Sequence, residues 1–244
     1  MSSLILSDDF IFETVEGEGH LVGYPSIFMR LAMCNLTCIG FKSPDSPFGC
    51  DSYVSWSKKN KRSFEEIFKI LEDNGYVEKL KTNHVFKITG GEPLIQQKSL
   101  IDFIKAFEDK YKFFPRIDFE TNCTIKPGSF WYENSKTTFT VSPKLTSNGD
   151  PVEKRYNPEV IKFHKEKGSF FKFVIAKDFD VTEIYDKYVN EFKINKRSVW
   201  LMPCCGSRDE HNAVAPWVAE VCKKEGFNFS PRLQLVLWNK ALKV

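Results

Sequence analysis

The 244-residue chain has no long apolar run, so no stretch of it approaches a membrane span. Met1 to Asp9 lacks a basic region followed by an apolar one, which argues against a secretory leader and for a cytoplasmic protein. No internal repeat or low-complexity tract interrupts the sequence. Charge of one sign is scarce: Lys+Arg 35 against Asp+Glu 32 leaves +3, too balanced to argue for nucleic acid. Histidine is scarce too. His20, His84, His164 and His211 are isolated, with no partner at metal spacing. No Ser–His–Asp order suggests a hydrolase.

Core material is abundant. Hydrophobic residues make up 42% of the chain and 23 phenylalanines are among them, enough for one α/β domain of this length. Short β-branched and aromatic runs alternate with amphipathic stretches. Strands are expected at 26–31, 85–89, 116–120, 139–141, 170–175, 199–202 and 227–229. Ser63 and Glu66 form a capping-box pattern, followed by Phe64, Ile67, Phe68 and Leu71 on one helix face. Asn74-Gly75 marks a helix end. Further helices are expected at 100–107, 181–192 and 212–224. Repeated β-then-α order predicts a mostly parallel sheet, with ligands at the edge where the strands end. Lys58 to Arg62 reads as a solvated face before a helix. Segment 145–169 reads as a peripheral insertion in a single domain spanning 1–244.

Seven cysteines in a cytoplasmic chain point to free or metal-binding thiols rather than disulfides. Three of them open the functional argument: Cys34-Asn-Leu-Thr-Cys38, then Cys50-Asp51-Ser52. Three thiolates are one short of a closed zinc site or an ordinary four-cysteine cluster. A cubane on three thiolates leaves one iron open to a small molecule. The bland alternative is three unrelated buried cysteines. Cys123, Cys204, Cys205 and Cys222 read as structural or incidental, with Cys123 and Cys204 candidates to line a pocket. Thr89-Gly90-Gly91-Glu92-Pro93 follows a strand. Its glycines let a ligand lie against the backbone, and Glu92 can accept from an ammonium group. Alone, that block suits a tight turn with a solvated Glu92.

Together, the cysteines and Gly-Gly-Glu-Pro resemble the radical S-adenosylmethionine superfamily. The usual spacing there is Cys-x3-Cys-x2-Cys, whereas eleven residues separate Cys38 from Cys50 here, a lengthened cluster loop at 39–49. A narrower resemblance runs in order along most of the chain. It comprises Phe12 to Gly19, Gly23-Tyr24-Pro25, Phe28 to Leu31, Cys34-Asn35-Leu36, Cys50-Asp51-Ser52, Thr89 to Pro93 and Glu120-Thr121-Asn122. It continues through Ser142-Pro143-Lys144, Phe171 to Val174, Met202-Pro203 and Arg232-Leu233-Gln234. This pattern is similar to the 7-carboxy-7-deazaguanine synthase family.

The resemblance implies an incomplete β/α barrel and a lyase. That lyase contracts the ring of 6-carboxy-5,6,7,8-tetrahydropterin to 7-carboxy-7-deazaguanine with loss of ammonia, in queuosine or deazapurine biosynthesis. It implies a [4Fe–4S] cluster on Cys34, Cys38 and Cys50, S-adenosylmethionine as the radical source, and Mg2+ at Ser52. Cofactor contacts fall on Asp51, Gly91, Glu92, Ser142, Pro143, Lys144, Met202 and Pro203. Substrate contacts fall on Val15, Glu16, Gly17, Arg30 and Thr89. Arg30 would fork onto the substrate carboxylate, against the alternative of a strand-end ion pair. The chain departs from the family at Glu16 (commonly glutamine), Ser52 (often threonine), Met202 (glutamine) and Gln234 (frequently histidine). A flavodoxin or ferredoxin would supply electrons, and a homodimer is left open. Two rivals remain: a glycyl-radical activating enzyme with the same cofactors, and a non-catalytic zinc-stabilised binding protein.

Overall fold

The computed structural model describes residues 2–41, 43 and 45–239. Nine strands form one open sheet in the order β3-β1-β2-β4-β5-β6-β7-β8-β9. They are β1 Ser3–Val15, β2 Pro25–Leu31, β3 Asn60–Ser63, β4 Val85–Gly90, β5 Ile117–Thr121, β6 Thr137–Val141, β7 Phe170–Ile175, β8 Val199–Pro203 and β9 Asn228–Phe229. From β2 through β9 every neighbouring pair is parallel, whereas β1 runs antiparallel to β2 and β3. The parallel strands follow chain order, so each crossover lands on the next position and the sheet curls as a partial barrel.

Side-chain alternation explains the layers. On β2 Ile27, Met29 and Leu31 join the core with Phe86 and Ile88 of β4, Ile117 and Phe119 of β5 and Phe139 and Val141 of β6. Phe171, Phe173 and Ile175 of β7 and Val199 and Leu201 of β8 continue that face. Helices Phe64–Asp73, Gln97–Tyr111, Pro158–Lys167 and Arg208–Glu225 bury residues in the same core. The intervening positions are, but for Met202, polar or aromatic: Phe28 and Arg30, Lys87 and Thr89, Asp118 and Glu120, Thr138 and Thr140, Phe170 and Lys172, Trp200 and Met202. With a period of two, these line the opposite face of the sheet.

The capping box of helix Phe64–Asp73 forms as expected, with Ser63 Oγ accepting from Glu66 N–H and the Glu66 carboxylate accepting from Ser63 N–H. Three readings are corrected. The long β1 was not expected as a strand at all. Lys58 to Arg62 is not merely a solvated face, because Asn60–Ser63 pairs with Ser3–Leu6 as the edge strand β3. Segment 145–169 is no peripheral insertion: it is the β6-to-β7 crossover, and its helix Pro158–Lys167 buries Val160 and Ile161 in the core. Among the described residues, no helix is long and apolar enough to cross a membrane.

Candidate active site

Strand ends deliver the candidate residues to one edge. Cys34 and Cys38 follow β2, Gly91 and Glu92 follow β4, Asn122 follows β5, Ser142 to Lys144 follow β6, and Met202 and Pro203 end β8. The cysteine loop is pinned to these neighbours. Asn122 Nδ2 donates to Asn35 Oδ1 at 2.8 Å and Asn35 Nδ2 to Thr124 Oγ1 at 2.8 Å. Thr37 donates through N–H and hydroxyl to Asp150 Oδ1 at 3.1 and 2.9 Å. Gly91 allows the close approach of this loop, since a Cβ there would lie 2.2 Å from Met33 O and 2.8 Å from Cys34 Cβ.

The three thiols share one electrostatic environment. The charge of Cys38 acts on Cys34 and that of Cys50 on Cys38, while the Lys144 ammonium acts on all three and on Glu92. Burial pushes Cys34 up to about 11 and raises Cys38 and Cys50 as well. Each sulfur meets a hydrogen-bonding group: the Leu36 backbone for Cys34, the Asn148 side chain for Cys38, and the Ser52 backbone and Trp56 side chain for Cys50. Donors to sulfur are what tune and hold an iron–sulfur cluster. Among the described residues, no three His, Cys, Asp or Glu side chains form a group that could hold a metal ion.

Glu92 is fully buried, not solvated. Its Oε1 accepts from Leu94 N–H at 3.0 Å, its Oε2 from Asn122 N–H at 2.7 Å, and both accept from Thr121 Oγ1 at 2.9 Å. Burial outweighs these bonds and raises its carboxyl to about 7. Lys144 Nζ lies 3.2 Å from Ser142 Oγ. Ser52 precedes a short helix, Tyr53–Trp56, without capping it, and its hydroxyl donates to Asp51 Oδ1 at 3.1 Å. Cys123 packs in the core, whereas Cys204 lies 3.8 Å from Gly40 O beside the loop that follows Cys38. Met202 is buried at the end of β8.

The polar face of the sheet carries a charge network. Lys87 Nζ pairs with Asp118 at 2.7 Å and Glu16 at 2.8 Å. Asp118 also accepts from Thr138 Oγ1 at 2.7 Å and Thr140 Oγ1 at 2.9 Å. Lys172 pairs with Glu18 and Glu120, and Thr89 Oγ1 donates to Glu120 at 3.1 Å. Burial opposes ionisation of Glu18, but Lys172 and Arg232 overcome it and hold its carboxyl at about 2. His20 stacks on Phe170 at 3.6 Å, 3.2 Å from Thr140 Oγ1, and burial lowers it to about 4. Gly17 packs against Gln234, where a Cβ would meet Gln234 Oε1 at 2.0 Å. Val15 ends β1 opposite Pro25.

Arg30 stands across from Thr89 in the β2–β4 register. Its guanidinium lies over the Phe12 ring at 5.9 Å. No carboxylate among the described residues pairs with it, so the expected alternative of a strand-end ion pair is absent there. Sequence reasoning missed Glu18, His20, Lys87, Asp118 and Lys172. For the strand residues Lys87, Asp118 and Lys172, the available signal was a charge placed within an otherwise apolar strand. A cleft lined by Lys81, Phe113, Arg116 and Lys136 opens elsewhere, where β5 and β6 begin, and shares none of the candidate residues.

No family model matches the chain. It is 28% identical over 96% of its length to 7-carboxy-7-deazaguanine synthase of Rhodopirellula baltica, covering 86% of that protein. The same enzyme of Pyrobaculum aerophilum is 29% identical, with 95% of this chain and 94% of that one aligned. Over nearly its whole length the chain is similar to 7-carboxy-7-deazaguanine synthases. QueE from Escherichia coli has the same fold, with a TM-score of 0.63 over 94% of this chain and 93% of that one at 20% identity. Likeness to these synthases implies a radical S-adenosylmethionine enzyme with a [4Fe–4S] cluster, and it favours neither the glycyl-radical activase nor the zinc-binding rival.

Proposed function

We propose that this chain is a 7-carboxy-7-deazaguanine synthase. It converts 6-carboxy-5,6,7,8-tetrahydropterin to 7-carboxy-7-deazaguanine with loss of ammonia, for queuosine or deazapurine synthesis. The observation that carries the reading is the gathering of Cys34, Cys38, Cys50 and Glu92 around Lys144, beside a polar sheet face, in a chain with these relatives.

Cys34, Cys38 and Cys50 would hold the cluster. S-adenosylmethionine would lie against Asp51, Gly91, Glu92, Ser142, Pro143, Lys144, Met202 and Pro203. When bound, the two supply a one-electron hydrogen abstraction that no side chain can perform. The chain's residues bind and orient. Arg30, with no carboxylate partner among the described residues, offers its guanidinium fork to the pterin carboxylate. Glu16, held by Lys87, accepts from ring N–H groups, with Val15, Gly17 and Thr89 beside it. Glu92 retains a lone pair for an ammonium group. Lys144 offsets the negative charge of the thiolates and Glu92.

Mg2+ is a finer part of the same reading. The ion favours hard oxygens and keeps several waters, so the Ser52 hydroxyl beside Asp51 would supply one ligand and the substrate others. Turnover that rises with Mg2+ after chelator treatment, and responds less in Ser52→Ala, supports it. An unresponsive wild type removes Ser52 from the site. A flavodoxin or ferredoxin completes the reading as electron donor.

The deciding experiment incubates reduced, cluster-loaded protein with S-adenosylmethionine and 6-carboxytetrahydropterin, then weighs the product. Cofactor cleavage without 7-carboxy-7-deazaguanine would discard the pterin reading.

A further inference from the structure

One buried cation near the site has no part in the roles above. Arg232 lies in the C-terminal segment and is 9% exposed. Its Nε donates to Glu18 Oε1 at 3.0 Å, its Nη2 to Asp51 Oδ2 at 2.8 Å, and its Nη1 to the Cys205 carbonyl. The guanidinium also lies over the Phe41 ring at 4.2 Å. One planar group therefore touches the loop after β1, the loop after β8 and both flanks of the lengthened cluster loop.

We propose that Arg232 is a positioning residue that fixes the cluster loop against the substrate loop and couples filling of the substrate site to order in that loop. Several of the loop's own bonds close on itself: Ser43 N–H to Gly49 O at 2.9 Å, and Gly49 N–H to Ser46 Oγ at 3.0 Å. Closing a longer loop costs entropy that a short Cys-x2-Cys spacing avoids. Arg232 offsets it by gripping Phe41 at the entry and Asp51 at the exit, next to Cys50. The other end of the connection is Glu18. That carboxylate also binds Lys172 and accepts from Gln234 Nε2 at 2.7 Å, and Lys172 in turn binds Glu120 on the polar face. A ligand that orders the polar face thus orders Glu18, then Arg232, then Asp51. Lysine cannot reproduce three directed bonds and a stacked face.

The substrate arm of this proposal rests on the pterin reading; the loop arm does not. The test is hydrogen exchange on anaerobic holoenzyme, following residues 39–51, with 170–175 of β7 as the control for global opening. In Arg232→Lys and Asp51→Asn, exchange at 39–51 is expected to rise about tenfold, the scale of one charge-assisted hydrogen bond. Exchange in β7 stays unchanged, and a chelator strips iron faster. In the wild type, 6-carboxytetrahydropterin slows exchange at 39–51, and both variants lose that protection while still binding the ligand. Wild-type exchange at 39–51 in Asp51→Asn, or protection that persists in it, overturns the proposal. If Arg232→Lys also opens β7, Asp51→Asn decides, because it leaves the guanidinium on Glu18 and Cys205. If the wild type binds no pterin, the pterin reading fails, and the ligand-free comparison still decides the clamp.

Discussion

Cys34, Cys38, Cys50 and Cys123 are chemically identical residues whose surroundings separate them. The first three are half-buried, beside hydrogen-bonding groups and Lys144, whereas Cys123 packs in the core with its thiol pushed far up by burial. Alanine at any of the first three is expected to abolish turnover and strip most of the iron, since a cubane on two thiolates is poorly held. Cys123→Ala is expected to keep its iron and lose only stability. Iron and sulfide assays after anaerobic reconstitution check this, and a full cluster in Cys50→Ala would remove it from the ligand set. Arg30 makes the complementary case, a guanidinium with no carboxylate partner among the described residues. Arg30→Lys replaces a fork with a point charge, so KM for the pterin should rise about tenfold or more. S-adenosylmethionine affinity should hold. Equal loss of both affinities would make Arg30 a structural residue.

Elements were more legible in the sequence than the face they carry. β7 was expected at 170–175 and runs Phe170–Ile175, because β-branched and aromatic residues fill all of it but Lys172. β1 escaped because Asp8 and Asp9 break its apolar pattern, and its register shifts between Leu6 and Ile11. The network on the polar face escaped for another reason. Lys87, Asp118 and Lys172 sit far apart in sequence, and only the parallel register sets Lys87 beside Asp118. That ion pair belongs to the sheet, so its loss should be felt by the whole of it. Lys87→Met leaves Asp118 and Glu16 buried without their cation, at an expected cost of about 3–5 kcal/mol. Adding Asp118→Asn should recover part of this, because the two residues share one interaction. Urea denaturation of the single and double variants measures it, and additive losses would mean that the pair is not coupled.

At the scale of the whole molecule, buried titratable groups pull stability in opposite directions across mildly acid pH. His20 is held neutral, near 4 against an ordinary 6.5, by burial first of all. Its contribution is complete above 6.5 and is lost as pH falls through 4. Glu92 is raised to about 7 from 4.5 by burial, so its contribution is complete below 4.5 and is lost as pH rises through 7. Each displacement corresponds to about 3 kcal/mol by linkage, with opposite sign in the same window. Glu16, raised by burial, adds to the side of Glu92, whereas Glu18, held at about 2, acts only in stronger acid. Buried His164, lowered to about 3, acts on the side of His20, so the cluster-free protein carries slopes of both signs between pH 4.5 and 6.5. Single substitutions uncover them. In Glu92→Gln the Tm should climb more steeply with pH across this range than in the wild type, since one falling slope is removed. In His20→Phe, which keeps the stacking on Phe170, the pH dependence of Tm should shift toward a fall with pH relative to the wild type. The offsets between variants reflect lost bonds and packing, but the slopes report titration alone. Parallel Tm curves for wild type and both variants would show that neither group titrates in this window, and the charge balance of the buried face would have to be assigned to other residues.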